Sequence, residues 1–294
     1  LLTIGIFVYT IINKNNIKSI GYTRGIENTD TKYILPKKIF SYFDKLQNNK
    51  IIQAHYENRK KKFPNWEIIF LDETTVTNYI DQEGLKLFKS LRSIQFSDYL
   101  RFYLLKNYGG VWIDAGIIIF NGSFLDSYYN EMINNKYDVC VYEYTDRTIS
   151  HKYPYLENWF IMAPKNSKYI NDIYSEYMKA IKIGFFNYKK NVLIPSGIIL
   201  KNTIGANLYD TYLIQHAIIN YLMYTGNTYK INKKIAEESM FNYVNSCGWS
   251  HHKIVNHILE NNNWKNLYAY KLVGETRRAL VNKEKQYIEK INGL

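Results

Sequence analysis

Apolar residues form short continuous runs in some segments of the chain and recur with a helical period in others, a pattern typical of a layered α/β domain. Residues 37–43 and 66–71 are predicted strands. The amphipathic stretch Lys50–Lys62 between them is a predicted helix that ends two residues before a proline. A strand, a helix and a second strand in this order are typical of the first half of a nucleotide-binding fold.

A helical period continues through residues 83–108, where Ser97 is a candidate N-cap of a second helix and the glycines at 109 and 110 are predicted to end it. The other predicted elements are strands at 111–114, 117–120, 137–144 and 159–163, and helices at 169–183, 209–224 and 283–294. Neither an internal repeat nor a Pro-rich or Gly/Ser-rich linker is visible. Residues 32–294 are therefore predicted to form a single α/β domain with a more irregular carboxy-terminal part.

The amino-terminal segment differs from the rest of the chain. Residues 1–12 are mostly apolar, and the residues that follow them to position 31 are mostly polar. An apolar run of this length is too short to cross a bilayer alone. One interpretation of residues 1–31 is the remnant of a membrane anchor with its stem, which predicts attachment to a membrane. A first core strand and a signal-peptide remnant are the alternatives.

Composition and charge narrow the class of protein. Hydrophobic residues make up 46% and charged residues 22% of the sequence, as in ordinary globular proteins. The formal net charge of +12 is compatible with a nucleic acid, an anionic membrane surface or a phosphorylated small substrate as partner. Because Lys and Arg are spread along the whole chain, nucleic acid is not a predicted partner. The basic run at 59–62 is interpreted as a solvated helix face.

Candidate chemistry is concentrated in residues 96–119, which read FSDYLRFYLLKNYGGVWIDAGIII. Asp98 and Arg101 are three residues apart on a predicted helix, so a carboxylate and a guanidinium share one helix face. The alternative is a surface ion pair of little consequence. Asp114 follows a predicted strand, and ligands bind at the carboxyl ends of strands in open α/β sheets. These three side chains are therefore expected to converge on one ligand site.

The same segment resembles the sugar-binding region of GT-A glycosyltransferases that carry a DXD motif. They include the capsular polysaccharide synthesis group, the fungal outer-chain mannosyltransferases and the clostridial glucosylating toxins. Their pattern is Ser-Asp, two residues, Arg, an aromatic-rich helix, Gly-Gly, then an aromatic residue, an aliphatic residue and Asp. Its counterparts in this sequence are Ser97, Asp98, Arg101, Gly109, Gly110, Trp112, Ile113 and Asp114.

The resemblance implies a GT-A fold, a Rossmann-like mixed sheet flanked by helices. It also implies transfer of a hexose from a UDP- or GDP-sugar to a glycan, lipid or protein acceptor, with retention of the anomeric configuration. By the same resemblance, Asp98 and Arg101 bind the donor sugar, and Asp114 lies at the ribose and the metal-bound diphosphate. The other residues implied to line the donor site are Ser97, Gly109, Gly110 and Trp112.

Two further segments show a weaker resemblance to the same enzymes. LPKKIFSYF is similar to their first strand, where an aromatic residue often stacks on the base. Phe40 is the candidate for that role, and burial in the core is the alternative. ENWFIMAPKNSKY is similar to the segment across the pocket, which implies that Asn158 and Trp159 face the sugar.

The sequence departs from the family pattern at Gly116, where DXD would place a second carboxylate. A divalent cation such as Mn²⁺ or Mg²⁺ prefers several oxygen ligands, and a diphosphate with one carboxylate supplies few. Either Asp114, phosphate and waters hold the ion, or cationic side chains replace it. Lys271 is the candidate catalytic cation, with Arg277 and Arg278 after it in YKLVGETRR, since a lysine or guanidinium can neutralise a leaving diphosphate.

Other candidate residues lie late in the chain. His251 and His252 resemble the late metal-binding histidine of some GT-A enzymes, although adjacent histidines in a polar loop are usually solvated. Tyr209, Asp210 and His216 are candidates to border the acceptor, with core packing or a polar surface as the alternative. A catalytic triad, a P-loop and zinc-ligand spacing are not recognisable. The rival function from the sequence is a non-catalytic sugar-binding protein on the same fold.

Overall fold

A computed structural model describes residues 32–200, 211–260 and 268–293 of the chain. The strands are β1 (Lys38–Tyr42), β2 (Glu67–Leu71), β3 (Gly110–Ile113), β4 (Ile117–Ile119), β5 (Val139–Glu143), β6 (Leu156–Ala163), β7 (Ile231–Ile235) and β8 (Ala269–Lys271). The helices are α1 (Lys50–Lys62), α2 (Gln82–Ser90), α3 (Ser93–Tyr108), α4 (Ser123–Asn135), α5 (Lys168–Ile183), α6 (Phe185–Tyr188), α7 (Ile214–Tyr224), α8 (Asn242–Cys247), α9 (His251–Glu260), α10 (Gly274–Leu280) and α11 (Glu284–Asn292).

The central element is a mixed sheet with the strand order β2-β1-β3-β6-β5-β7. β1 runs parallel to β2 and β3, whereas β6 runs antiparallel to β3 and β5, and β7 is parallel to β5. β4 and β8 form a separate antiparallel ribbon in which Ile117 pairs with Lys271. The ribbon begins just beyond the carboxyl end of β3, so it brings late residues of the chain to that edge of the sheet.

The sheet separates two apolar layers because successive side chains of a strand point to opposite faces. Val111 and Ile113 of β3 pack into one core cluster, together with residues of α4, α9 and β8. Trp112 between them packs into the other cluster, together with residues of α3, α5 and α7. The predicted α/β class, a mixed sheet flanked by helices, is confirmed.

The predicted opening of the fold is also confirmed. β1 and β2 lie within the predicted segments, and α1 has the predicted bounds. The helical stretch at 83–108 divides into α2 and α3, and α3 begins after Arg92 rather than at Ser97. The prediction that Ser97 caps a helix is therefore wrong, because Ser97 lies inside α3, where the backbone donors already have partners in the preceding turn.

The double glycine is required by the turn from α3 into β3. Gly109 ends α3 with a φ of 70°, and a Cβ on it would lie 2.6 Å from the backbone nitrogen of Lys165. Gly110 has a φ of 107°, and a Cβ on it would lie 2.6 Å from the carbonyl oxygen of Lys38. Any side chain at either position would collide with neighbouring backbone, so the turn needs both glycines.

The carboxy-terminal part contains elements that the sequence pattern did not predict. β7, β8, α8 and α10 are at most seven residues long. α9 begins at His251, in a stretch interpreted from the sequence as a polar loop. From Tyr33 onwards the described residues form one compact unit. The predicted anchor and stem over residues 1–31 lie outside the described residues. Within the described part, none of the helices combines the length and the apolar character needed to cross a membrane.

Candidate active site

Asp114 lies at the carboxyl end of β3, at the sheet edge where the sequence predicted a ligand site. Its backbone N–H donates a 2.9 Å hydrogen bond to the carbonyl oxygen of Trp159 on the neighbouring strand β6. β4 begins three residues later and leads the chain away. The side chain of Asp114 therefore stands in the short connection between the main sheet and the β4–β8 ribbon.

The Asp114 carboxylate accepts hydrogen bonds on both of its oxygens. Oδ1 accepts from the indole Nε1 of Trp112 at 2.7 Å and from Nη2 of Arg101 at 3.2 Å. Oδ2 accepts from the ammonium of Lys271 on β8. Burial alone would raise the pKa of Asp114, but the charges of Lys271 and Arg101, with the donated hydrogen bonds, lower it to about 2. The carboxylate is therefore ionised at every physiological pH.

Asp98 and Arg101 project from one face of α3 towards Asp114. Arg101 bonds Asp98 through Nη1 and Asp114 through Nη2, so one guanidinium joins both carboxylates. Its guanidinium also lies 5.2 Å from the ring centre of Trp112. Burial opposes its charge, but the two carboxylates raise the pKa of Arg101. Burial raises the pKa of Asp98 even though Arg101 opposes the shift. The predicted convergence of the three side chains is present in the structure.

Gln215 on α7 connects three elements of the site. Its Oε1 accepts from Nη1 of Arg101 at 2.7 Å and from the amide of Asn158 on β6. Its Nε2 donates to the backbone oxygen of Asp98 at 3.1 Å. The side chain is fully buried, so these contacts fix the orientation of the residues around it. Sequence reasoning missed Gln215, although a polar pair within the apolar run LIQHAII was an available signal.

His216, the next residue of α7, pairs with Glu157 on β6. The His216 Nε2 lies 3.3 Å from a carboxylate oxygen of Glu157, and its ring stacks on Tyr155 with centres 4.8 Å apart. Its Nδ1 is buried and has no hydrogen-bond partner among the described residues. The suggestion that His216 borders an acceptor stays a prediction. Tyr209 and Asp210, named with it, lie outside the described residues.

Arg59 of α1 binds the backbone of the connection that carries Asp114. Arg59 donates through Nη2 to the carbonyl oxygens of Asp114 at 2.6 Å and Ile117 at 3.0 Å. Its Nη1 bonds the hydroxyl of Ser41 and, at 3.3 Å, the carbonyl of Ile113. Arg59 is fully buried. The interpretation of residues 59–62 as a solvated face is therefore wrong for Arg59, whose guanidinium is the structural clamp of this loop.

His55 supports the same connection one helical turn earlier. Its Nδ1 lies 2.9 Å from the carbonyl oxygen of Ala115, and its Nε2 lies 2.7 Å from the hydroxyl of Tyr287 on α11. Burial lowers the pKa of His55 to about 3, so the ring is neutral. A carbonyl only accepts, so Nδ1 carries the proton and Nε2 accepts from Tyr287.

Lys271 and Arg277 approach the site from the late part of the chain, as predicted, whereas Arg278 does not. Arg277 donates to the carbonyl oxygen of Leu272 at 2.6 Å and lies against Gly116. Arg278 is exposed and pairs with Glu275 on its own helix. Burial lowers the pKa values of Lys271 and Arg277, and Asp114 offsets part of both shifts. Only Arg277 of the two neighbouring arginines belongs to the site.

Several predicted site residues occupy other places. Phe40 is fully buried against Tyr108, so its ring offers no face to a base and the prediction for it is wrong. Trp159 is buried between Tyr142 and Phe241, and it contributes its backbone oxygen rather than its ring to the site. Ser97 is partly exposed and directly precedes Asp98. The prediction that the Trp159 ring faces a sugar is therefore wrong, whereas Asn158 reaches the cluster through its contact with Gln215.

The described residues do not form a conventional metal site. In the part of the chain that the structure describes, no three His, Cys, Asp or Glu side chains come together as metal ligands. The ring of His251 bonds Thr276 on α10 at 3.1 Å, and His252 is exposed. Both Asp114 oxygens already accept from cations. Asp114 as the sole carboxylate ligand of Mn²⁺ or Mg²⁺ therefore fits this arrangement poorly.

The lowered pKa of Asp114 predicts a specific dependence of stability on pH. Because the folded pKa of about 2 lies below the ordinary value of 3.8, Asp114 stabilises the protein above pH 4 and loses this effect as the pH falls towards 2. The contribution of Asp114 to the free energy of unfolding is ~2 kcal/mol.

Denaturant unfolding at pH 5 and at pH 3 measures this contribution. Between the two pH values, the free energy of unfolding should fall more for the wild type than for Asp114→Asn. Asp72, whose pKa is also about 2, titrates alike in both proteins. Equal losses would contradict the expectation.

The mixed sheet and the cluster of Asp98, Arg101 and Asp114 at the end of β3 have the arrangement that the resemblance to GT-A glycosyltransferases implied. The profile of the family described as capsular polysaccharide synthesis protein matches residues 46–291. The chain belongs to this family, which confirms the resemblance found in residues 96–119, and its class of reaction is glycosyl transfer. A comparison with curated proteins found no significant match.

Solved glycosyltransferase structures are similar to the chain over most of its length. The PaToxG glycosyltransferase is 15% identical and covers 90% of each chain, with a TM-score of 0.39. The galactosyltransferase LgtC, in complex with donor and acceptor sugar analogues, is 11% identical over 87% of this chain and 96% of its own, with a TM-score of 0.47. A glycosyltransferase involved in the glycosylation of the major capsid of PBCV-1 is 7% identical over 87% of this chain and 98% of its own, with a TM-score of 0.43.

Proposed function

We propose that the protein transfers a hexose from a nucleotide-diphosphate sugar, UDP- or GDP-linked, to an acceptor. The observation that carries the proposal is the excess of positive charge around Asp98 and Asp114. Among the described residues, Arg101 and Lys271 bond these carboxylates directly. Arg59 binds the backbone carbonyl of Asp114, and Arg277 lies against Gly116, two residues further on. No described carboxylate lies within 4.0 Å of a side-chain nitrogen of Arg59 or Arg277.

A surplus of buried cations favours an anionic ligand. Taking a charged side chain out of water costs free energy that a counter-charge has to offset. Burial lowers the pKa values of Arg59, Lys271 and Arg277, which is the signature of that cost. A diphosphate brings two or more negative charges, and lysine and guanidinium groups bind such groups through charge-assisted hydrogen bonds. The charge of the site therefore supports a diphosphate-linked donor.

We assign separate roles to the two ends of the cluster. Asp98 and Arg101 offer an acceptor and a donor side by side, the pair needed to bind neighbouring hydroxyl groups of a sugar. Asn158 and Gln215 extend this polar wall. At the other end, Asp114 orients Lys271 towards the nucleotide and diphosphate, and its bond to Arg101 joins the two ends. In this proposal the glycine turn at 109 and 110 and the buried ring of Trp112 shape the site rather than contact the donor.

The proposed catalytic contribution is positioning and charge stabilisation. As the bond between the sugar and the diphosphate breaks, negative charge develops on the diphosphate. Cations in fixed positions stabilise this charge without having to reorganise. A phosphate oxygen of the donor is proposed to take the acceptor proton on the same face, which gives retention of the anomeric configuration. The family description favours a saccharide acceptor over a lipid or protein.

A donor panel tests the proposed function. UDP-glucose, UDP-galactose and GDP-mannose are each incubated with the protein, and free sugar and nucleoside diphosphate are measured together with the shift in melting temperature. We expect one donor both to raise the melting temperature and to be consumed, and NMR of the product to show the donor configuration. A donor that stabilises the protein without being consumed would favour a sugar-binding protein instead. No response to any of them would contradict the proposal.

The Asp98→Asn variant tests the sugar-binding role within the same assay. The amide keeps the size of the side chain and one acceptor for Arg101 but removes its charge. We expect consumption of the preferred donor to fall roughly a hundredfold, because a misplaced sugar loses the benefit of orientation. The matched control is Asp146→Asn, at an exposed position in the loop after β5. An unchanged rate in Asp98→Asn, with the control also unchanged, would remove Asp98 from the site.

A further inference from the structure

Gly116 occupies the position of the missing second carboxylate, and the structure leaves no room for a side chain there. A Cβ on Gly116 would collide with Nη1 of Arg277 and would lie 2.5 Å from the carbonyl oxygen of Leu272. The Leu272 backbone is fixed, because its N–H donates to the carbonyl of Gly116 at 2.8 Å. The space that an acidic side chain would fill therefore contains a guanidinium.

Lys271 occupies the other position that a metal ion would need. Its ammonium bonds Oδ2 of Asp114, and Arg101 and Trp112 bond Oδ1. A divalent cation on the remaining acceptor site of Oδ2 would lie beside the Lys271 ammonium, and the like charges would repel each other. Lys271 and Arg277 are held next to each other because Lys271 lies on β8 and Arg277 binds the carbonyl of Leu272, the next residue after it.

We propose that Lys271 and Arg277 bind the diphosphate of the donor directly and together replace the divalent cation of a two-carboxylate site. This inference rests on the proposed function. An ammonium has three donors, and the bond to Asp114 uses one. A guanidinium has five, and the bond to Leu272 directs its planar fork without using more than one of them. The two residues thus supply a fixed, metal-free electrostatic site for the leaving nucleoside diphosphate.

Isothermal titration of UDP and GDP into the wild-type protein tests the proposal without any variant. Titrations are made in EDTA and again with Mn²⁺. We expect the preferred nucleotide to bind in EDTA, with a dissociation constant within about threefold of the value in Mn²⁺. Binding that disappears in EDTA and returns with Mn²⁺ would overturn the metal-free site while leaving the nucleotide-sugar proposal intact. Absence of binding under both conditions would overturn both.

Substitutions then identify the cations that replace the metal. In EDTA, Lys271→Met and Arg277→Met should each weaken binding of the preferred nucleotide by about tenfold to a hundredfold, because each loses a charge-assisted hydrogen bond. Arg278→Met is the matched control, since Arg278 is the next residue of α10 and pairs with Glu275 in solvent. Melting curves establish that each variant is folded. Affinities of both variants equal to that of the control would overturn the assignment.

Discussion

Asp114→Asn is expected to lower donor consumption roughly a hundredfold to a thousandfold, the loss typical of removing a preorganised charge from an active site. The amide keeps the shape of the side chain but has only one acceptor oxygen. Its NH₂ group would point at other hydrogen-bond donors. They would be Arg101 and Trp112 if the NH₂ took the place of Oδ1, and Lys271 if it took the place of Oδ2. The two cations would lose the partner that orients them, so the effect combines lost charge with lost positioning.

Steady-state donor hydrolysis, measured over a range of donor concentrations, checks this expectation. If Asp114 orients the cations for the leaving diphosphate, the loss should appear in kcat as well as in KM. Asp146→Asn serves as the control again, because it removes an exposed carboxylate of the same size. A circular dichroism spectrum and a melting curve show whether the variant is folded. A folded Asp114→Asn protein with the wild-type rate would remove Asp114 from the proposed mechanism.

The central part of the candidate site could be predicted from the sequence because its residues are close in the chain. Asp98 and Arg101 are one helical turn apart, and a glycine turn and a short strand lead directly from that helix to Asp114. Local periodicity and the strand-end rule are sufficient to bring such residues together. The pairing of Asp114 with Lys271 joins residues 157 positions apart and depends on β8, a strand with no distinct sequence pattern.

The residues that support the site were harder to predict because polarity in a sequence does not reveal burial. Gln215 and Arg59 are polar side chains in the interior, where each satisfies several backbone or side-chain groups. The errors for Phe40 and Trp159 have the opposite cause. Trp159 lies beside Asp114, and Phe40 lies in the middle of β1, but alternation along each strand directs both rings into the core. Facing direction depends on the packed layers, which a short motif does not encode.

Arg59→Met is expected to lower the free energy of unfolding by ~3 kcal/mol or more, because a hydrogen bond from a charged donor contributes ~1.5–3 kcal/mol and the buried guanidinium makes several of them. The guanidinium donates to the carbonyls of Ile113, Asp114 and Ile117, and a methionine side chain has no donor for any of them. Denaturant unfolding gives the free energy, and a lower melting temperature should accompany it. Since the released loop carries Asp114, donor consumption should fall as well.

Two further variants separate the hydrogen bonds of Arg59 from its charge. Arg59→Lys keeps the charge but lacks the planar fork that reaches Ile113 through Nη1 and both Asp114 and Ile117 through Nη2, so it should recover only part of the stability. Lys61→Met, two residues along the same helix and exposed, should change stability by less than ~0.5 kcal/mol. If Arg59→Met were as stable as Lys61→Met, the stability of the loop would not depend on Arg59. If Arg59→Lys were as stable as the wild type, the positive charge alone would be enough to stabilise the loop. The intermediate result would identify the forked geometry of the guanidinium as the feature that holds Asp114 in place.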